Sequence, residues 1–102
     1  MRRGSTSTVT LTVPEILDLT AATAVYITFA QDRKMITKKS GDAGVTIDRH
    51  TVLVRFTQSE TLGFQTGMID VQIRWLLPDG TAEGTDIARV YNDGVLLQEV
   101  IT

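Results

Sequence analysis

From Ile69 to Trp75 the sequence alternates strictly: Ile69, Val71, Ile73 and Trp75 fall on one side, Asp70, Gln72 and Arg74 on the other. A period of two is the signature of a strand with one buried face, because successive side chains leave a pleated backbone in opposite directions. The pattern extends from Met68 to Leu77 and returns three more times. Val9, Leu11 and Val13 alternate with Thr8, Thr10 and Thr12; Val25, Ile27 and Phe29 alternate with Tyr26 and Thr28; Val52, Val54 and Phe56 share one phase in Thr51–Thr57. A chain built this way must bury sheet faces against each other, which excludes a helical bundle.

The punctuation between these runs defines the connections. Pro14 ends the first run, since proline cannot donate to a ladder. Glu15–Thr20 predicts either one short helical turn or an irregular crossover. Gln31-Asp32-Arg33-Lys34 predicts a tight turn into a partner strand, Met35–Lys39, and Ser40–Gly44 a polar loop. Val45–Asp48 and Thr51–Thr57 predict a hairpin around Arg49-His50. Thr57-Gln58-Ser59-Glu60 matches a capping box, in which hydroxyl and carboxylate each accept from the other residue's amide. It predicts a short helix near residues 58–63 bridging two sheets. Pro78-Asp79-Gly80 predicts a turn, Thr85–Tyr91 a strand, Asn92-Asp93-Gly94 a turn, and Val95–Ile101 a last strand. Val, Ile and Thr supply a third of the chain, the residues that suit a pleated surface. The expectation is a single all-β domain over residues 1–102, an antiparallel sandwich or barrel of about seven to eight strands.

The residues that carry chemistry are sparse. With no cysteine, disulfides and thiolate chemistry are excluded. His50 is the single imidazole, and with no second ligand or nucleophile nearby it reads as a turn residue. Asp42 and Asp48, and Asp79, Glu83 and Asp86, lack the spacing of a calcium loop and read as turn formers. No glycine pattern follows a strand and opens a helix, as a phosphate cradle requires. Accordingly no catalytic residue, metal ligand or cofactor site is expected. The net charge of -2, from 10 basic and 12 acidic residues, argues against a nucleic-acid partner. No membrane partner is expected either, for no apolar run approaches the roughly 18–20 residues of a bilayer span. Arg2-Arg3 leads into polar Gly4–Thr8 rather than an apolar leader, so synthesis in the cytoplasm is expected. Arg33-Lys34 and Lys38-Lys39 read as guards on an exposed sheet edge. Trp75, in phase with aliphatic residues, reads as a core anchor.

Four segments carry a resemblance: Arg2-Arg3-Gly4-Ser5-Thr6 opening onto a strand, Ile27-Thr28-Phe29-Ala30-Gln31 before a tight turn, Phe56–Leu62, and Val71-Gln72-Ile73-Arg74. In this order they resemble small phage and prophage tail proteins of Gram-positive bacteria, similar to the N-terminal domain of siphophage baseplate upper proteins. That resemblance implies an immunoglobulin-like sandwich without enzymatic activity, carried in the virion tail and docking another tail or baseplate protein. It leaves homo-oligomerisation open. Where related sequences turn with Asn-Gly or Asp-Gly, this chain has Asp32-Arg33; positive φ at Arg33 would be strained, which predicts a longer or differently shaped loop. The partner-interface candidates are Arg2 and Arg3, with arginine's suitability for interfaces, and Tyr26 and Arg74 on outward strand faces. The second expectation, from a different class, is a carbohydrate-binding or adhesion module resting on Tyr26 and Tyr91.

Overall fold

The alternating segments pair into two antiparallel sheets in the computed structural model, which describes every residue from Met1 to Thr102. The small sheet has the order β1 (Thr8–Thr12), β5 (Thr51–Arg55), β4 (Val45–Ile47). In the large sheet β3 (Lys34–Lys39), β2 (Ala24–Gln31) and β6 (Gly67–Leu76) lie side by side. The far edge of β6 is shared by β7 (Ala82–Gly84) and β8 (Ala88–Asn92). Helix α1 (Gln58–Gly63) joins the two sheets, entered through the capping box of Thr57 and Glu60. A single 3-10 turn, Leu19–Ala21, crosses from β1 to β2, with the Asp18 side chain capping the Thr20 amide.

Ten inward strand residues, with Val13, Leu19, Phe56 and Phe64 from the connections, form one core of fourteen buried apolar side chains. Phe29 of β2 meets Phe56 edge-on across the sheets, ring centres 4.7 Å apart, a favoured aromatic arrangement. Trp75 is buried among them, as its phase predicts. The result is the all-β sandwich expected, with eight strands and the one helix where the capping box placed it.

Four local expectations are corrected. The hairpin between β2 and β3 has only two loop residues, for Gln31 pairs with Lys34. Positive φ falls on Asp32 (50°) and not on Arg33, and aspartate tolerates that region better than most residues. The expected strand Thr85–Tyr91 instead begins at Ala88 and runs to Asn92, with an extra residue between it and β7. Arg74 pairs with Gly84 and Val71 with Ala88, so Gln72 and Ile73 face the three residues Thr85–Ile87. Such a bulge interrupts the ladder and re-aims side chains; here Ile87 is left exposed. No last strand forms over Val95–Ile101. β8 has already reached Gly67, the first residue of β6, and Arg2 takes the backbone position beside Asp93 in a parallel bridge. Finally, Lys38 is no edge guard. It lies opposite Ile27 on the inward side, its ammonium 2.5 Å from the Glu60 carboxylate and 5.4 Å from the centre of the Phe56 ring.

Candidate functional site

The outer faces of the two sheets differ in character. On the small sheet, Thr8, Thr10 and Thr12 of β1, Thr51 and Arg55 of β5 and Thr46 of β4 point away from the core around a half-buried Leu53, leaving a threonine-rich surface. On the large sheet, register places Lys39, Tyr26, Arg74 and Gly84 in one cross-strand row. The next row holds Thr37, Thr28 and Gln72, and the one after it Met35, Ala30, Asp70 and Arg89. Small or polar residues thus occupy the middle of the face, with large apolar ones around them. Tyr26, Leu76, Met35, Met68, Tyr91 and Ile87 are all exposed there.

Between the rim residues lie two adjoining clefts of about 380 Å³ each, sharing Thr28 and Arg74 in their walls. Exposed apolar side chains around a shallow polar floor are what a protein-docking surface requires. The electrostatics are uneven along the face. At one end Lys39 and Arg74 flank Tyr26, the Lys39 ammonium 5.5 Å from its ring centre, and neither cation makes an ion pair. At the other end Asp70 and Arg89 neutralise each other at 3.1 Å.

Of the four interface candidates, Tyr26 and Arg74 are direct cross-strand neighbours on this face. Arg2 and Arg3 sit elsewhere, Arg3 beside α1 and Arg2 beside Asp93 and Gly94. Arg3 is only 8% exposed; its guanidinium donates to the Leu62 carbonyl and its amide to Asp93. The Arg2 guanidinium donates to the Gly94 carbonyl, and the amino group of Met1 to the Tyr91 carbonyl. Arg3 is therefore a structural residue, spent on a carbonyl that the end of α1 leaves without a helical partner.

α1 gathers more than Arg3. The buried Asn92 side chain donates to the carbonyls of Thr61, Phe64 and Gln65, at 3.4, 3.5 and 3.1 Å. The Thr61 hydroxyl donates to the Ser5 carbonyl, and the Gln58 amide both donates to and accepts from the backbone of Ile101. Sequence reasoning missed this hub because Asn92-Asp93-Gly94 carries a turn signature, which does not reveal that the asparagine faces inward. The reciprocal half of the capping box was legible, and it has a further consequence. Burial alone would raise the Glu60 carboxyl, but the Lys38 ammonium and the Thr57 amide hold it below the usual carboxylate range.

His50 is held in its turn by a 2.7 Å hydrogen bond between Nδ1 and the Leu17 carbonyl. No group of three or more acidic, histidine or cysteine side chains is placed to hold a metal ion, and no helix is long and apolar enough to cross a membrane. No protein-family model, curated protein or solved structure matches this chain.

Proposed function

We propose that this chain is a non-enzymatic structural module of a phage or prophage tail, docking another tail or baseplate protein through the outer face of its large sheet. The observation that carries the proposal is the contrast between the two sheets: one outer face is threonine-rich, and the other carries six exposed large apolar residues around two clefts. A face built only for solvent does not need that ring. The segments behind the resemblance also meet in space. Ile27–Gln31 and Val71–Arg74 belong to neighbouring strands of the large sheet, and Arg2–Thr6 reaches Phe56–Leu62 through the bonds from Arg3 to Leu62 and from Thr61 to Ser5. The immunoglobulin-like label and the virion location go with this reading.

Carbohydrate binding is less well supported. Tyr26 and Tyr91 share the face, but Tyr91 lies opposite Met68 and Tyr26 opposite Arg74, six residues or roughly 20 Å apart along β6. They form no joint stacking platform, and Lys39 lies over the Tyr26 ring. The test is mass spectrometry of tail particles purified from induced cultures of the bacterium that carries this sequence. The proposal expects the chain at a fixed ratio to the other tail proteins; particles that lack it overturn the assignment.

A further inference from the structure

The segment after Gly94 is displayed rather than loose. At its start the Arg2 guanidinium holds the Gly94 carbonyl, and near its end the Gln58 amide grips both backbone groups of Ile101. Between these anchors Leu96, Leu97 and Val100 are exposed, Leu96 completely, and so is Glu99, which makes no ion pair. Holding a short apolar ridge in place lowers the ordering cost of binding. No residue of the ridge lines either cleft of the large sheet.

We infer that copies of this chain associate head to tail, the ridge Val95–Ile101 of one copy lying along the outer face of the next copy's large sheet. This deepens the docking proposal, on which it rests, by naming a second copy as an occupant of that face. Polarity and charge both match. The ridge offers leucine, valine and isoleucine to a rim of Tyr26, Leu76, Met35 and Ile87. Glu99 then meets Arg74 and Lys39, the cations of the face that no carboxylate of their own chain engages. Pinned beside α1 at both ends, the ridge serves a neighbouring copy rather than its own sheet. Such a contact joins different surfaces on the two copies, so repetition produces a ring or an open chain instead of a closed dimer.

The test is sedimentation velocity of the purified full chain from about 10 to about 500 µM, the range suited to an interface well below roughly 1,200 Å². Association beyond the dimer is expected as concentration rises. Leu97→Asp is expected to weaken it about tenfold or more by placing a charge in an apolar contact. Arg74→Glu and Glu99→Arg are each expected to weaken it about fivefold, and the double variant to return within about twofold of the native chain. All these positions are exposed, so each variant is expected to unfold at the native temperature. A chain that stays monomeric throughout, or a double variant no better than its parents, overturns head-to-tail association. Either result leaves the docking proposal to be judged separately on the tail particles.

Discussion

Replacing Glu60 with alanine removes two interactions at once, and the structure sets the expected magnitude. One carboxylate oxygen accepts from the Thr57 amide at 2.9 Å and completes the capping box; alanine keeps the Thr57 hydroxyl's own bond and loses this one, about 0.5–1.5 kcal/mol. The other oxygen pairs with Lys38 at 2.5 Å, the two side chains being 14% and 24% exposed for Lys38 and Glu60. A pair so far out of water exceeds the roughly 0–1 kcal/mol of a surface ion pair and resembles a charge-assisted hydrogen bond, about 1.5–3 kcal/mol. Because the two losses share one side chain they do not simply add, and about 2–3 kcal/mol is expected for Glu60→Ala. For a domain of this size that corresponds to a fall of roughly 8–24 °C in melting temperature. The assay is thermal and urea unfolding of Glu60→Ala, Lys38→Met and the double variant, with Lys38→Met keeping the apolar stem over Phe56. A coupling energy of about 1–2 kcal/mol between the two positions is expected. If Glu60→Ala stays within about 0.5 kcal/mol of the native chain, or the coupling is zero, the pair behaves like a solvated one and the reasoning fails.

Further predictions follow from the same geometry. The Glu60 carboxyl is held below its ordinary value of 4.5 in the fold, so its stabilisation is complete above that pH and is lost as pH falls through the folded value. Melting temperature measured from neutral to acidic pH is expected to drop less steeply below that point in Glu60→Gln than in the native chain. The comparison subtracts Asp18 and Asp79, whose carboxyls are lowered by bonds to Thr20 and Thr81. Asn92→Leu strips the Thr61, Phe64 and Gln65 carbonyls of their donor and is expected to cost about 2–3 kcal/mol in urea unfolding; native stability would contradict the hub. Gly44→Ala is expected to destabilise more than Gly41→Ala. Both positions have positive φ, but only at Gly44 would the new methyl meet backbone, the Arg55 carbonyl oxygen at 3.1 Å. Trp75 emission is expected to be blue-shifted and resistant to acrylamide; emission like that of free tryptophan would remove it from the core.

The strand faces were legible because period two has one physical cause, the pleat, and one consequence, a buried side. Val25, Ile27, Phe29 and Ile69–Trp75 fall as their phase requires. The capping box was equally legible, since its partners are three residues apart. What the chain hid were long-range partnerships. Lys38 and Arg3 look like surface cations until the register of β3 on β2 turns Lys38 toward Glu60 and the N-terminal arm brings Arg3 to Leu62. Val95–Ile101 has the composition of a strand but is held by Arg2 and Gln58 and joins no ladder, and anchors so remote in the chain leave no mark in local sequence. The candidate face was half legible: Tyr26 and Arg74 could each be placed outward, whereas their adjacency and the apolar rim required the register of β2 on β6 and the bulge at Thr85–Ile87.

The central claim is that the large sheet, and not the small one, docks a partner in the tail. One substitution made on both faces tests it most directly. Thr28→Glu places a carboxylate in the wall shared by the two clefts, while Thr10→Glu places the same group on the outer face of β1. Tail particles are purified from cultures producing each tagged variant, after both are shown to melt within a few degrees of the native chain. The account predicts that the Thr10→Glu chain is recovered in particles at the native level and the Thr28→Glu chain is lost. Recovery of both, or loss of the Thr10→Glu chain alone, would contradict it.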